Sequence, residues 1–323
     1  MRLIRGLHNV AGNVPQDFDG CVATIGNFDG LHLGHRRILE ALKEASERHM
    51  RPTLVILFEP QPKEFFAPEH APARLASFRD KFLDLADEGV DYLLCLPFNE
   101  ALRSMSADAF IRTILVDALK VHHLIVGDDF RFGCDRSGDY QALVSAGETF
   151  GFTVTDTPTH LIDEERVSST RVRGELERDL LAQAAELLGH PYRMAGRVAY
   201  GRQLGRTLET PTANVMIKRT RLPMKGVYAV HVRVAEDGEE YIGVANLGVK
   251  PTVAGTPEPS LEVHLFGFKG DLYGQHLTVS FMQKIRDEMK FDGLDALKAA
   301  IDSDKQAARA YFASRPDSFR FDK

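Results

Sequence analysis

Two histidines, His32 and His35, lie three residues apart in TIGNFDGLHLGHRRILEAL, where an apolar run gives way through glycines to a helical pattern. Imidazoles at that spacing sit beside the free amides and positive dipole end of a helix N-terminus, and Gly34 between them lets the backbone approach a ligand. Such a place receives an anion. A metal would need a third ligand, and although Asp29 is near, no third His or Cys follows at a usual spacing. A structural pair that caps and packs the turn is the other alternative. Two further stretches carry related chemistry. IVGDDFRFGCDRSGD sets Gly127 and Gly133 beside Asp128, Asp129, Arg131 and Arg136, a loop able to contact sugar hydroxyls and phosphates. ERVSSTRVR places the hydroxyls of Ser168, Ser169 and Thr170, with Arg171 and Arg173, at a second helix N-terminus. Arginine there is a multivalent phosphate donor, although SST alone reads equally as an ordinary N-cap.

The second half offers a different set. GRVAYGRQLGRTLETPTANV gathers Gly196, Gly201 and Gly205 into a basic, turn-prone stretch without GxxxxGK[ST], which excludes a P-loop. Thr212 and Asn214, one residue apart on an extended segment, point the same way and could share a magnesium ion. PTAN alone would equally be a turn leading into a strand. Glu262, between Leu261 and Val263, reads by itself as a solvated strand carboxylate. Cys21, Cys95 and Cys134 are far apart, which argues against a disulfide framework or a thiolate zinc site and leaves them as small buried hydrophobes.

The elements that must position these residues follow from periodicity. CVATIG, TLVILF, YLLCLPF, HLIVGD and FTVTDTP read as strands. Helical patterns alternate with them: about Gly34 to Arg48, SFRDKFLDLADEG, ADAFIRTILVDAL and YQALVSAGETF. Continuous apolar strands separated by amphipathic helices predict a parallel α/β sheet covered on both faces, with ligands at the carboxyl ends of its strands. One helix is expected through RVRGELERDLLAQAAELL, opened by the hydroxyl cluster and stopped by Gly189. A domain boundary is placed there. Beyond it GRVAYG, GVYAVHVRV, YIGVANLG, LEVHLFGF and LTVSFMQK, with turns such as Asp237-Gly238, predict a small closed β-barrel. Two helical stretches, LDALKAAI and DKQAARAYF, are expected to flank it.

The 323 residues are 44% hydrophobic and 27% charged, a globular composition long enough for roughly two domains. No stretch of about 18 apolar residues could span a bilayer, and MRLIRGLHNV lacks the features of a secretory signal, so a soluble cytoplasmic chain is expected. The formal charge of −6 supplies no broad basic field, so neither nucleic acid nor membrane is an expected partner. Oligomeric state is left open.

HLGH and VSSTRVR, in that order, resemble the HxGH and ISSTxxR motifs of the class I nucleotidyltransferase superfamily. More narrowly, GNFDGLHLGH, FEPQPKEFF, RLASFRDKF, VGDDFRFG and VSSTRVR resemble the adenylyltransferase module of bacterial bifunctional riboflavin kinase/FAD synthetases. The PTAN stretch, NLGVKPT, LEVHLFGF and DLYGQHLTVSFMQKIRDEMKFDGLDAL resemble its riboflavin kinase module, in order and to the C-terminus. The resemblance implies a Rossmann-like nucleotidyltransferase sheet over 1–187 and a riboflavin-kinase barrel with flanking helices over 188–323. It implies phosphorylation of riboflavin to FMN by ATP in the barrel, and transfer of AMP from ATP to FMN, giving FAD and pyrophosphate, in the sheet. Riboflavin, FMN and FAD would be substrates or products, not prosthetic groups, and Mg²⁺ would accompany ATP.

By the same resemblance, His32 and His35 would be donors to the ATP phosphates, with Gly26, Phe28, Gly34, Asp129, Ser169, Thr170, Arg171 and Arg173 completing that site. Gly201, Gly205, Thr212 and Asn214 would hold the kinase nucleotide, Thr212 and Asn214 its Mg²⁺, and Glu262 would be the base. Phe58, Phe65, Phe66 and Arg286 are candidate flavin contacts. One departure is Glu209-Thr210, where the family usually has Gly and an apolar or aromatic residue; it restricts the backbone and adds negative charge. A working kinase with altered ATP or flavin affinity is expected. A transferase with a degenerate barrel, or a flavin-binding regulator without chemistry, are the other readings, and intact HLGH, SST and PTAN speak against the last.

Overall fold

Strands that are apolar at nearly every position are stable only with both faces covered. The computed structural model describes residues 1–200, 210–235, 238–250 and 258–315. In it β1 (Arg2–Arg5), β2 (Cys21–Ile25), β3 (Thr53–Glu59), β4 (Tyr92–Pro97), β5 (Val121–Gly127) and β6 (Thr153–Thr157) form one sheet. Its order is β1-β4-β3-β2-β5-β6 and each pairing is parallel. Cys21, Ala23, Leu54 and Ile56 face one apolar layer with Phe110, Ile114 and Leu143. Val22, Val55 and Leu57 face the other, with Leu39 and Leu42 of helix α1 (Leu33–His49) and Leu85 of α2 (Phe78–Asp87). The edge strand β1 was not expected: in RLIR only Ile4 is buried, too little to read as a strand without its partner β4. Over ADAFIRTILVDAL the helix expected as one runs as an α-turn, Ala107–Phe110, continued in π register by Ile111–Ala118. Helix α3 (Tyr140–Phe150) follows β5, and a short hairpin, β7 (Leu161–Ile162) and β8 (Glu165–Arg166), follows β6.

The chain forms two compact units, Met1–Pro72 with Phe78–Ser169, and Ala73–Ser77 with Thr170–Lys323. The single helix expected through RVRGELERDLLAQAAELL is two, α4 (Ser169–Glu177) and α5 (Leu181–Leu188). Asp179 breaks it by adopting φ 60°, a left-handed conformation that Asp tolerates better than most residues. Its carboxylate accepts hydrogen bonds from Lys284 Nζ and from Tyr228 Oη at 3.3 Å, which hold the break in place. Gly189 ends α5 in the left-handed conformation, as expected.

Six strands then close a barrel: β9 (Arg193–Ala199), β10 (Ala213–Met216), β11 (Gly226–Val234), β12 (Glu240–Lys250), β13 (Glu258–Leu265) and β14 (His276–Arg286). The order is β10-β13-β12-β11-β14-β9, and β9 returns to pair with β10. Of the expected Asp237-Gly238 turn, Asp237 lies outside the described residues.

The two closing helices expected from LDALKAAI and DKQAARAYF are one, α6 (Leu294–Ala313). The Asp302-Ser303 step between them contains no glycine or proline, and Asp304, which opens the second stretch, is 5% exposed, with both its oxygens accepting from Arg286, each at 2.8 Å. The helix runs on through that step, and beyond the ion pair Ala308 and Phe312 pack on Val227, Ala229 and Val244. Segment Ala73–Ser77 joins this unit through its carbonyls: Ala73 accepts from Arg173 Nε at 2.6 Å, and Leu75 from Tyr192 Oη at 3.2 Å and Arg219 Nη2 at 3.0 Å. Replacing Asp304 with Ala leaves a half-buried guanidinium without its bidentate partner and is expected to destabilise the barrel by about 2 kcal/mol. Denaturant unfolding of the full chain would show this in one transition; an unmoved midpoint would show that the pair does not anchor α6.

Candidate active sites

In the sheet, β2 has β3 on one side and β5 on the other, so the chain leaves the two neighbours β2 and β5 where the strand order reverses, the place such sheets use for ligands. HLGH follows β2 and GDDFRFG follows β5. His32 is the N-cap of α1, with extended φ −66° and ψ 168°, and its Nδ1 accepts the His35 amide at 3.3 Å. An Nδ1 that accepts must carry a lone pair, so the proton of neutral His32 is on Nε2. The two rings stack with centroids 3.7 Å apart and 14° between planes, and the Phe28 ring lies 4.9 Å from His35. A Cβ on Gly34 would come 3.1 Å from Val167 O and 3.2 Å from the His32 ring, and one on Gly26 would come 2.9 Å from the Phe28 ring. Ser169 Oγ donates to Asp29 O at 2.8 Å, tying the start of SST to the GNFDG loop.

Burial, then the neighbouring positive charges of His32, Lys81 and Arg166, hold the His35 pKa well below the usual imidazole value. His35 is therefore neutral, and its Nδ1 is buried with no hydrogen-bond partner among the described residues. Asp129 accepts two hydrogen bonds from Arg166 of β8, both at 3.0 Å, while Asp128 accepts from Thr159 Oγ1 at 2.6 Å. Sequence reasoning missed Arg166 and Lys81. The first stands two residues before SST, and the second is a lysine buried on the inner face of α2, a placement periodicity could have flagged. Phe58, Phe65 and Phe66 gather edge to face around Phe98, at centroid distances of 5.9, 5.4 and 5.7 Å. Phe98 follows β4, so this cluster lies at the carboxyl end of adjacent strands β3 and β4. Phe66 is 61% exposed and Arg103 lies over its ring. Thr170, Arg171 and Arg173 lie on α4 and are assigned to the second unit.

In the barrel, register does the positioning. Asn214 of β10 stands opposite Glu262 of β13, and Glu262 stands opposite Asn246 of β12. A cavity of about 320 Å³ is lined by apolar Val227, Val244, Phe291 and Ile301 and carries Glu262 and Arg286 on its wall. A second of about 130 Å³ contains Asn214, Asp271 and Tyr273, with Tyr200 stacked on Tyr273 at 3.9 Å. Thr212 lines both.

Three side chains absent from the sequence reading fix this segment. His264 Nδ1 donates to Pro211 O at 2.8 Å, the direction set by a carbonyl's inability to donate. Burial lowers the His264 pKa, opposed by that hydrogen bond. Lys305 Nζ donates to Thr210 Oγ1 at 3.1 Å, and Lys250 Nζ donates to Asn214 Oδ1 at 3.1 Å while pairing closely with Glu262 Oε1. His264 had a signal: it lies two residues from Glu262, on the same strand face. Arg286 is engaged by Asp304 and lies over Phe291 at 5.5 Å. Gly201, Gly205 and Glu209 lie outside the described residues, while Thr210 is 3% exposed.

A family model described as FAD synthetase matches residues 14–171, and one described as riboflavin kinase matches 188–312. A bifunctional riboflavin kinase/FMN adenylyltransferase of Pseudomonas fluorescens is 54% identical over 97% of this chain and 98% of its own length. The chain belongs to the bifunctional riboflavin kinase/FMN adenylyltransferase family. The Escherichia coli K12 relative of the same description is 50% identical over the same shares. The family's two activities fall on the two matched ranges, adenylyltransferase on the sheet and kinase on the barrel. A solved structure described as a macrolide-efflux protein from Streptococcus pneumoniae superposes with TM-score 0.78 at 28% identity, covering 96% of this chain and 99% of that one. No described helix is long and apolar enough to cross a membrane.

The half-buried, neutral His35 gives a pH signature. The unfolded chain protonates this ring below about pH 6.5 while the fold resists, so its contribution to stability is present above that value. It is lost as pH falls toward the lower folded pKa, at about 1.4 kcal/mol per pH unit. His35→Gln is expected to flatten the stability curve below about pH 6.5 by that slope; equal slopes in both proteins, measured by denaturant midpoints, would show that His35 titrates normally.

Proposed function

We propose that the chain makes FAD from riboflavin in two ATP-dependent steps carried by separate constellations, with 1–187 serving adenylylation and 188–323 phosphorylation. The observation that carries the assignment is the pairing Asn214 opposite Glu262, at an apolar cavity that shares Thr212 with a second, more polar one. The apolar cavity suits the flavin rings and the other the nucleotide, so the ribityl hydroxyl meets the γ-phosphoryl group near Glu262. The alcohol is neutral, and Glu262 takes its proton as the new P–O bond forms and ADP leaves. Thr212 and Asn214 offer hard oxygen donors, and an ammonium already rests on Asn214 Oδ1, so the residues fit Mg²⁺. No group of three or more His, Cys, Asp or Glu among the described residues could hold a metal, so the ion would draw its other ligands from phosphate and water. Bound there, it would neutralise phosphate charge.

Adenylylation needs no base, because the FMN phosphate is already an anion; it attacks the α-phosphorus of ATP and pyrophosphate leaves. His32, with its proton on Nε2, donates to the phosphates as charge builds, and neutral His35 stacks against its ring. Ser169, Thr170, Arg171 and Arg173 are assigned to the β- and γ-phosphates, Gly26, Phe28, Gly34 and Asp129 to the rest of the nucleotide, and Phe58, Phe65 and Phe66 to the flavin. Arg286 shapes the kinase cavity through Asp304. The small-molecule partners are ATP, riboflavin and FMN; the acidic net charge supports neither a nucleic-acid nor a membrane partner, and a cytoplasmic location fits these substrates.

Chromatographic product analysis with riboflavin, ATP and Mg²⁺ tests the assignment. Wild type should give FMN and then FAD, and His32→Ala should accumulate FMN with adenylylation slowed by about 100-fold or more. Glu262→Ala should lose FMN formation by about 100-fold or more yet still turn supplied FMN into FAD. If wild type uses only supplied FMN, the barrel is not a kinase and Glu209-Thr210 is implicated.

A further inference from the structure

Lys250 is the last described residue of β12 before Pro251, and its ammonium rests on two groups that the kinase reading assigns to chemistry, Asn214 Oδ1 and Glu262 Oε1. Stability does not account for the placement. The Lys250 side chain is 46% exposed and that of Glu262 30%, and an ion pair so open to water contributes little to folding. Nor does packing account for it, since lysine's compact charge at the end of a four-carbon stem makes no demand on the neighbouring apolar cavity. What the position does provide is a positive charge where a divalent cation would sit. The lone pairs of Asn214 Oδ1 that accept the Nζ–H are the ones a metal would use, and the Glu262 carboxylate beside it would otherwise face Asn214 as an uncompensated negative charge.

Resting on the assignment of Thr212, Asn214 and Glu262 above, we propose that Lys250 is a positioning residue of the kinase site. Its ammonium holds the cation position between Asn214 and Glu262 in the ligand-free barrel and yields Asn214 to the Mg²⁺ that arrives with nucleotide. A single charge on a flexible, half-exposed stem is displaced by a double charge that brings its own phosphate ligands. Lys250 thereby keeps Glu262 and Asn214 aligned in the empty site and disfavours a bare divalent ion there, so that metal enters with nucleotide.

The test uses the full chain and Mn²⁺ as a spin-detectable substitute for Mg²⁺, titrated without nucleotide by counting free ion in electron paramagnetic resonance. Lys250→Met should tighten Mn²⁺ binding by about 5-fold, because the competing charge is gone. The gain should vanish in Lys250→Met combined with Asn214→Ala, which separates this site from any other on the chain. The same single variant should lower the Mg²⁺ concentration for half-maximal riboflavin phosphorylation, an effect separable from any change in kcat, and Lys250→Arg should stay near wild type in both measurements. Unchanged or weaker Mn²⁺ binding in Lys250→Met, with Asn214→Ala still abolishing phosphorylation, would overturn the proposal and leave the site assignment standing. If Asn214→Ala alone leaves phosphorylation intact, the metal assignment fails and the proposal with it.

Discussion

One hydrogen bond, from the His35 amide to His32 Nδ1, sets the terms for the N-terminal site. It starts α1, and in doing so fixes the rotamer and tautomer of the residue assigned to phosphate. The rest follows from keeping that cap in place. Gly34 has little room for a side chain between Val167 O and the His32 ring, and the stacked His35 stays neutral chiefly because burial disfavours its charged form. Ser169 closes the arrangement from the far end of the sequence through Asp29 O. The two rings and the hydroxyl gathered there are thus held by hydrogen bonds and stacking within the protein itself.

The barrel solves the same problem with strands. Cross-strand register puts Asn214 and Asn246 on either side of Glu262, so three polar side chains from three strands stand side by side without a helix or a dedicated loop. PTAN is then held from outside the ladder, by His264 on Pro211 O and Lys305 on Thr210 Oγ1. The second contact gives the Thr210 hydroxyl a role: it is the acceptor that ties the segment to α6.

What was legible in the sequence was whatever local chemistry announces. Apolar runs such as TLVILF required a sheet covered on both faces, and Gly-rich turns with short alternating runs required a closed barrel. HLGH, SST and PTAN were legible through their joint resemblance to the family's motifs, since singly SST reads as an N-cap and PTAN as a turn. Contacts set by tertiary closure were not legible. The break at Asp179 is invisible in LERDLL, since the lysine that secures it lies 105 residues further on. The continuity of α6 past Asp302-Ser303 was equally hidden, since the Arg286 that pairs with Asp304 lies on another element. Lys250, Lys305 and Phe98 were ordinary residues on ordinary elements, and only the folded chain brings them to the groups they touch.

The short segment Ala73–Ser77 bears on how this molecule could be divided. Its carbonyls belong by contact to the second compact unit, where they accept from Arg173, Tyr192 and Arg219. A fragment cut to begin at the α4 helix would keep every barrel strand, yet it would strip acceptors from a guanidinium and a phenol that are themselves almost wholly buried. The polar interior of the barrel unit therefore depends on five residues, Ala73–Ser77, that lie far upstream of its first helix in sequence.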